Sequence, residues 1–409
     1  MGVPIAFAMG ASALMYILVE GIPLEMMAQR FFSNTQSFAF LAVPFFILAG
    51  NLMIHGGIAQ RIIHVANTMV RQLPGGLGCV SVVTNMGMAG VSGSAVADAA
   101  SVGSVLIPEM KRKGYTASFS AAINACTSVM GIIIPPSSTM IIIAWLANLS
   151  VGKMFIAGVV PGILLGISYL ILTIFISLKR GYPREERASL KEVVSGLAGA
   201  FWALLLPIFL IGVIVLGIST ATEAAALSAV YAFLVGFLVY RSLGFKDTMK
   251  ALKESVYGTT IVMMVVCTST VFTWVLISEG IPKMISNLLL GLGLSDWMMK
   301  LVLIAILLVA GMVMDLVPNL FLFIPIFFPI AKSMGMDPIH FSIVMLVTLA
   351  LGLFTPPVGS TLFISCHLAK IGIEATVKDL IPYFIVGTLV VILITYIPPL
   401  TLWLPGLFE

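Results

Sequence analysis

The sequence predicts an all-α polytopic membrane protein, built as an inverted repeat with two re-entrant hairpins and two Pro-Pro-interrupted helices. Three observations predict it. Hydrophobic residues make up 60% of the 409 positions and charged residues 9%, against about 25% charged in an ordinary soluble domain. Apolar windows long enough to cross a bilayer, about 18 residues or more, recur from end to end. Two double prolines, IPPS (134–137) and TPPVG (355–359), stand 221 positions apart, each inside an apolar run too long for one crossing.

Eleven hydrophobic elements follow in order: 1–19, 37–55, 76–110, 115–149, 155–178, 200–218, 222–240, 256–278, 297–333, 340–369 and 380–405. Residues 76–110 and 297–333 are too long to cross once and too short to cross twice at about 20 residues each. Each is interrupted near its centre, by GVSGSAVAD (90–98) and GMVMDLVPN (311–319). Two half-length legs meeting at a polar tip satisfy both facts, because irregular backbone at that depth is tolerable only inside protein or a water-filled cavity. Residues 115–149 and 340–369 carry the double prolines. A packing kink is the alternative for a single Pro-Pro; two copies at matched positions, each beside a polar-tipped hairpin, argue for a functional break.

Sliding the chain by 221 residues puts Gly90 on Gly311, Pro108 on Pro329, Lys111 on Lys332, Gly114 on Gly335 and Gly131 on Gly352. The chain therefore reads as a duplicated unit: residues 1–178, a charged cytoplasmic linker at 179–199, and residues 200–409. Eight of the fourteen residues from Lys179 to Glu192 are charged. With that linker in the cytoplasm, 16 of the 21 Lys and Arg fall on the cytoplasmic side, leaving Arg30, Lys153, Lys283, Lys300 and Lys332 outside. By the positive-inside rule, hairpin 76–110 then opens to the cytoplasm and 297–333 to the outside, which inverts the two halves.

The prolines have a specific consequence. Pro135 and Pro136 lack N–H groups, so the carbonyls of Gly131 and Ile132 lose their helical partners, and Ile134 is pushed from the α region. One half-helix ends in carbonyls suited to a hard cation. The next begins with free N–H groups near Ser137, Ser138 and Thr139, suited to a carboxylate. The second copy repeats this through Gly352, Leu353, Thr355, Gly359 and Ser360. The tips add Ser92, Ser94 and Asp98 in the first hairpin and Asp315 and Asn319 in the second. A carboxylate in a bilayer needs a cation or hydrogen bonds, and no Lys or Arg sits in these segments. Asp98, six residues past Ser92, reads as the more indirect contributor, so Asp315 is expected to weigh more. Capping a half-helix is the structural alternative for either aspartate.

The remaining composition excludes other classes. Cys79, Cys126, Cys267 and Cys366 stand singly, without CxxC or metal spacing, and read as buried small hydrophobes. The four histidines are dispersed; His367 reads as a helix-end residue. No GxxxxGK occurs, so no Walker-type ATP site is expected, and no cleavable signal peptide is evident. The charge of +4 is a topology signal and gives no reason to expect nucleic acid.

The segment MAGVSGSAVADAASVGSVLIPEM (88–110), with GIIIPPSS and GLFTPPVG further on, closely resembles the large membrane (M) subunit of tripartite ATP-independent periplasmic (TRAP) transporters, within the ion-transporter superfamily. The resemblance spans essentially the whole chain. It implies Na⁺-coupled secondary active import of an organic acid, a sialic-acid-type sugar acid or a C4-dicarboxylate, by an elevator-type motion in the bacterial inner membrane. It also implies a small four-helix membrane subunit, a periplasmic substrate-binding protein and two or more Na⁺. Carried over by position, Na⁺ would be held by Ser92, Gly93, Asp98, Gly131 and Ile134 in one half and by Asp315, Asn319, Gly352, Thr355 and Gly359 in the other. The substrate would lie near Ser94, Ser137, Ser138, Thr139, Ser360 and Thr361.

One departure concerns the start. Residues 2–19 align with 217–234, Tyr16 on Tyr231, but the second half places a full crossing, 200–218, before that stretch. Either the given chain starts late or the protein lacks the family's opening helix. Two further readings stand beside a TRAP permease: a binding-protein-independent Na⁺/carboxylate carrier of the same superfamily, and an intramembrane aspartyl protease using Asp98 and Asp315. The protease's YD and GxGD contexts are absent. An ion channel would also contain re-entrant loops.

The orientation is testable. In a cysteine-free background, Lys113→Cys and Lys332→Cys should label from opposite faces of the membrane. Labelling of both from one face would refute the inversion.

Overall fold

The computed structural model describes residues 3–33 and 37–408, and among them there is helix and turn but no strand. Helices start where a side chain answers the free N–H groups of the first turn. Ser94 accepts from the Ala97 N–H at 3.4 Å, Thr116 from Phe119 at 3.3 Å, Ser137 from Met140 at 3.4 Å and Ser150 from Lys153 at 3.3 Å. Ser189 and Thr220 form reciprocal caps with Glu192 and Glu223, the capping-box arrangement.

The Ser189 cap has a consequence for the stretch 179–199, expected as a linker. A helix, Leu190–Val215, already starts within it. Residues 181–189 remain between helices, and they are strapped down. Lys113 Nζ donates to Glu185 Oε1 at 3.0 Å, and Arg71 donates to the Glu186 carbonyl at 2.9 Å and to Glu192 at 3.1 Å.

Among the described residues, seven helices are long and apolar enough to cross a membrane: Val151–Arg180, Leu190–Val215, Ala221–Val239, Phe245–Ser278, Asp296–Val313, Leu316–Ser333 and Val377–Tyr396. Two bent pairs raise the number to nine if each is one span: Ala42–His55 with Ile58–Val70, at 67°, and Ala117–Ile133 with Ser138–Leu146, at 49°. This is a multi-pass, all-helical membrane protein.

The helix starts Gly76, Ala95, Ala117 and Ser138 recur 220 to 222 residues later at Asp296, Leu316, Pro338 and Ser360. The hairpin legs differ from expectation. Gly76–Ser92 and Ala95–Arg112 have 17 and 18 residues, and Asp296–Val313 and Leu316–Ser333 have 18 each. At 1.5 Å per residue each leg is about 26 to 27 Å long, so the legs are not half-length. Each turn consumes only two residues, Gly93–Ser94 and Met314–Asp315, which leaves the rest of the segment to helix.

The interrupted helices occupy the centre. Every residue from Phe119 to Ser128 and from His340 to Gly352 is buried. The hairpins, Val151–Arg180 and Val377–Tyr396 pack around them. A second group lies to one side: Ala42–His55 packs on Ala221–Leu234 and Phe245–Ser278, and Ile5–Val19 packs on Phe245–Ser278. These outer helices expose Phe7, Val230 and Ile261, apolar side chains of the kind that face lipid, and helices pair their own backbone groups as hydrocarbon requires. The four cysteines are buried and unpaired.

Arg180 and Asp379 form an ion pair that joins Val151–Arg180 to Val377–Tyr396, with the guanidinium 5.4 Å from the Phe119 ring centre. Asp379 is buried, whereas Arg180 is partly exposed. Asp379→Ala should therefore cost less than the loss of a fully buried partner, about 1–3 kcal/mol, read as a lower melting temperature in detergent. Breaking the exposed Arg112–Glu109 pair with Glu109→Ala should change stability by no more than about 1 kcal/mol.

Candidate functional site

The first interruption forms where the prolines demand it. Helix Met130–Ile133 ends at Ile134, which is extended at φ −84° and ψ 126°, and helix Ser138–Leu146 starts after Ser137. The Pro135–Pro136 and Pro356–Pro357 bonds are both cis.

The first hairpin tip lies directly on this break. Gly93 sits at φ +61°, and a Cβ there would fall 2.7 Å from the Pro136 carbonyl oxygen. A Cβ on Gly131 would overlap the Asp98 carboxylate and stand 3.0 Å from the Ser94 carbonyl oxygen. Ser138 Oγ donates to the Gly93 carbonyl at 3.5 Å. Backbone therefore meets backbone, and two glycines make the approach feasible. Asp98 is fully buried, and neither carboxylate oxygen has a hydrogen-bond partner. A buried, unpartnered carboxylate is costly. Its convergence with Ser94 and the break at Gly131 gives a donor set of oxygens, the chemistry that hard cations prefer.

The second tip uses different side chains. A Cβ on Gly352 would overlap the Gly311 backbone, and the Val358 N–H donates to the Met312 carbonyl at 3.1 Å. Asn319 Nδ2 turns back onto its own tip, near the carbonyls of Met314 at 2.9 Å, Asp315 at 3.1 Å and Ala310 at 3.3 Å, while its buried Oδ1 has no partner. Thr355 Oγ1 donates to the Leu351 carbonyl at 2.5 Å. Asp315 is exposed at the tip. Asp98 is thus held against its break, whereas Asp315 is accessible at its own tip.

The expected substrate residues divide. Ser94 and Ser138, with Ser92, line a cavity of about 310 Å³ whose opposite wall includes Phe46, Asn51 and Glu254. Ser137 is committed to capping Ser138–Leu146, and Thr139 is buried. Ser360 Oγ is buried without a partner at the second break. Thr361 is fully buried, near the Leu353 carbonyl at 2.8 Å and the Ala125 carbonyl at 3.1 Å. It ties the two interrupted helices together.

Sequence reading passed over other polar residues. Asn124 donates to the Ala99 carbonyl at 2.9 Å and to Ser365 Oγ at 2.8 Å, joining the first hairpin to the far half of the second interrupted helix. Asn85 donates to Thr127 Oγ1 at 2.7 Å. His55 pairs with Glu254 at 2.7 Å, and Asn51 donates to Ser255 Oγ at 2.9 Å, at the cavity's outer wall. The available signal was a carboxamide inside an apolar run, which is expensive unless paired.

The family described as tripartite ATP-independent periplasmic transporter, DctM component, matches residues 1–400. The C4-dicarboxylate TRAP transporter large permease protein DctM of Pseudomonas aeruginosa is 39% identical over 97% of this chain and 93% of its own. The sialic acid TRAP transporter large permease protein SiaM of Vibrio cholerae is 34% identical over 100% of this chain and 96% of its own. Among solved structures, the YdaH transporter of Alcanivorax borkumensis superposes with a TM-score of 0.63 over 94% of this chain and 89% of that one, at 13% identity. That likeness concerns the fold alone.

The backbone approach at the second break is open to test. Gly352→Ala drives a methyl into the Gly311 backbone, which no rotamer change relieves, so a loss of about 1–3 kcal/mol is expected. Gly212→Ala, on a helix position with open space around it, should be neutral or slightly stabilising. Equal melting temperatures for the two variants would contradict the contact.

Proposed function

This chain belongs to the DctM family of tripartite ATP-independent periplasmic transporters, and from that premise we propose that it imports an organic acid, handed over by a periplasmic binding protein, in exchange for the free energy of a Na⁺ gradient across the bacterial inner membrane. The family makes it a transport permease and not an enzyme, so the aspartyl-protease reading lapses. The word tripartite supports two partners, a small membrane subunit and a periplasmic binding protein. Relatives named for a C4-dicarboxylate and for sialic acid keep both substrate types in view. A carrier that works without a binding protein is the second reading, and the full-length family match favours the first.

The observation that carries the proposal is Asp98, buried and unpartnered at the meeting of a hairpin tip and a broken helix. Na⁺ would be held there by Asp98, Ser94 and the carbonyls freed by Pro135 and Pro136, with Ser92, Gly93 and Ile134 shaping the site. A second Na⁺ would be held at the other tip by Asn319, Asp315, Gly352, Thr355 and Gly359. Helix Ser138–Leu146 begins beside the cavity, so its N-terminal N–H groups and positive dipole end favour a substrate carboxylate. The repeat, read as inverted with re-entrant hairpins, would let the central helices carry this site past the outer group in an elevator motion.

The test is initial uptake against Na⁺ concentration, in liposomes holding the permease, its small subunit and loaded binding protein. Uptake should disappear when K⁺ replaces Na⁺, and equal uptake would sink the coupling. Asp98→Asn removes a charge-assisted interaction of about 1.5–3 kcal/mol, so half-saturating Na⁺ should rise roughly ten- to a hundredfold. Asp315→Asn should raise it less. Unchanged half-saturation in both variants would mean that neither aspartate serves an ion site.

A further inference from the structure

A second cavity, of about 180 Å³, is lined by Arg30, Trp145, Thr270, Thr273, Trp274 and Phe321. It lies on the same two helices as the serine-lined cavity, one on each wall. Helix Ser138–Leu146 contributes Ser138 to the first cavity and Trp145 to this one; helix Phe245–Ser278 contributes Glu254, Gly258 and Val262 to the first and Thr270, Thr273 and Trp274 to this one. Seven to eight residues of helix separate the two linings along each wall, a spacing of about 10–12 Å. The two cavities therefore lie one beyond the other along the same pair of helices, between the central and outer groups. Contacts within its own lining hold the second cavity's walls together: Thr273 Oγ1 donates to the Phe321 carbonyl at 3.1 Å, and the Trp145 and Phe321 rings stand 6.3 Å apart.

The far end has the chemistry that the serine-lined end lacks. Among the described residues, Arg30 is the one cationic side chain lining either cavity. Its guanidinium stands 5.7 Å from the Trp274 ring centre, an arrangement that pre-orients a planar fork matched to carboxylates. The charge distribution places Arg30 outside the membrane. We propose that this cavity is an outer way station for the carboxylate of the incoming acid, with Arg30 gripping the carboxylate and the indoles of Trp145 and Trp274 packing the body of the molecule. The proposal rests on the transport reading above and extends it to a site that needs no Na⁺.

The experiment uses the full chain in lipid nanodiscs, in K⁺ buffer free of Na⁺, with succinate and D-gluconate as probes and tryptophan fluorescence as the signal. At least one acid should give a saturable change that uncharged succinamide does not give. Trp274→Phe should remove most of the signal and Trp297→Phe should keep it. Arg30→Gln should weaken binding about tenfold or more, and Arg30→Lys, which keeps the charge but not the fork, should weaken it less. If Arg30→Gln fails to fold, Arg30→Lys and Trp274→Phe carry the test. No saturable change with either acid in the unaltered chain, or binding within twofold in every Arg30 variant that folds, would overturn the way station. Na⁺-driven uptake by the unaltered chain is a separate readout, so a permease that transports but fails here loses this site and keeps the transport reading.

Discussion

A backbone carbonyl without a hydrogen bond is barely tolerable in hydrocarbon, and the arrangement around both helix breaks follows from that constraint. Two prolines at each break remove the donors that a continuous helix would supply. The breaks can therefore exist only where other polar atoms surround them, and each is covered by a hairpin tip. Side chains between tip and break would hold the backbones apart. Gly93 and Gly131 remove that obstacle on one side, and Gly311 and Gly352 do so on the other. The outer helices, with apolar faces turned outward, shield this interior from lipid.

The two tips answer the constraint differently. At the first, the carboxylate of Asp98 is pressed toward Gly131. At the second, the carboxamide of Asn319 takes the buried place, its Nδ2 holding the tip carbonyls and its Oδ1 unpartnered, while Asp315 faces outward. Under the 221-residue offset Asp98 falls on Asn319, so the same position in each half carries the inward-facing oxygen. One copy places a carboxylic oxygen there and the other an amide oxygen. Under the proposed coupling, that difference would give the two halves different parts in an ion-driven cycle.

Much of this architecture was legible because prolines and glycines constrain backbone directly. The double prolines located both interruptions, and the 221-residue register placed Gly131 on Gly352. Other features were hidden because they depend on which residue faces which across the core. The roles of Thr361, tying Leu353 to Ala125, and of Asn124, bridging Ala99 and Ser365, link segments far apart in sequence. Leg length was misjudged for a simpler reason. The tips turn in two residues, which leaves nearly the whole of each segment to helix. The relative burial of Asp98 and Asp315 could not be read from their spacing, because a cap position projects its side chain according to local φ and ψ.

The distribution of charge between the cavities bears on why an anionic substrate would need a cation to move. The serine-lined cavity has Glu254 on one wall, and Asp98 lies behind the other, at the tip. An acid entering there alone would meet Glu254, paired with His55, on one wall and approach the buried Asp98 behind the other, in a region where water screens poorly. Under the proposed coupling, Na⁺ bound beside Asp98 cancels the nearer charge and draws the tip onto the break, so that the N–H groups of helix Ser138–Leu146 face a neutral neighbour. Ion and acid then raise each other's affinity by the same factor, as linkage requires. Arg30 at the opposite end can hold a carboxylate without any ion. Under the two proposals together, the acid would pass from a site where it is stable alone to one where it is stable only with Na⁺, and the second step would be the one that commits the gradient.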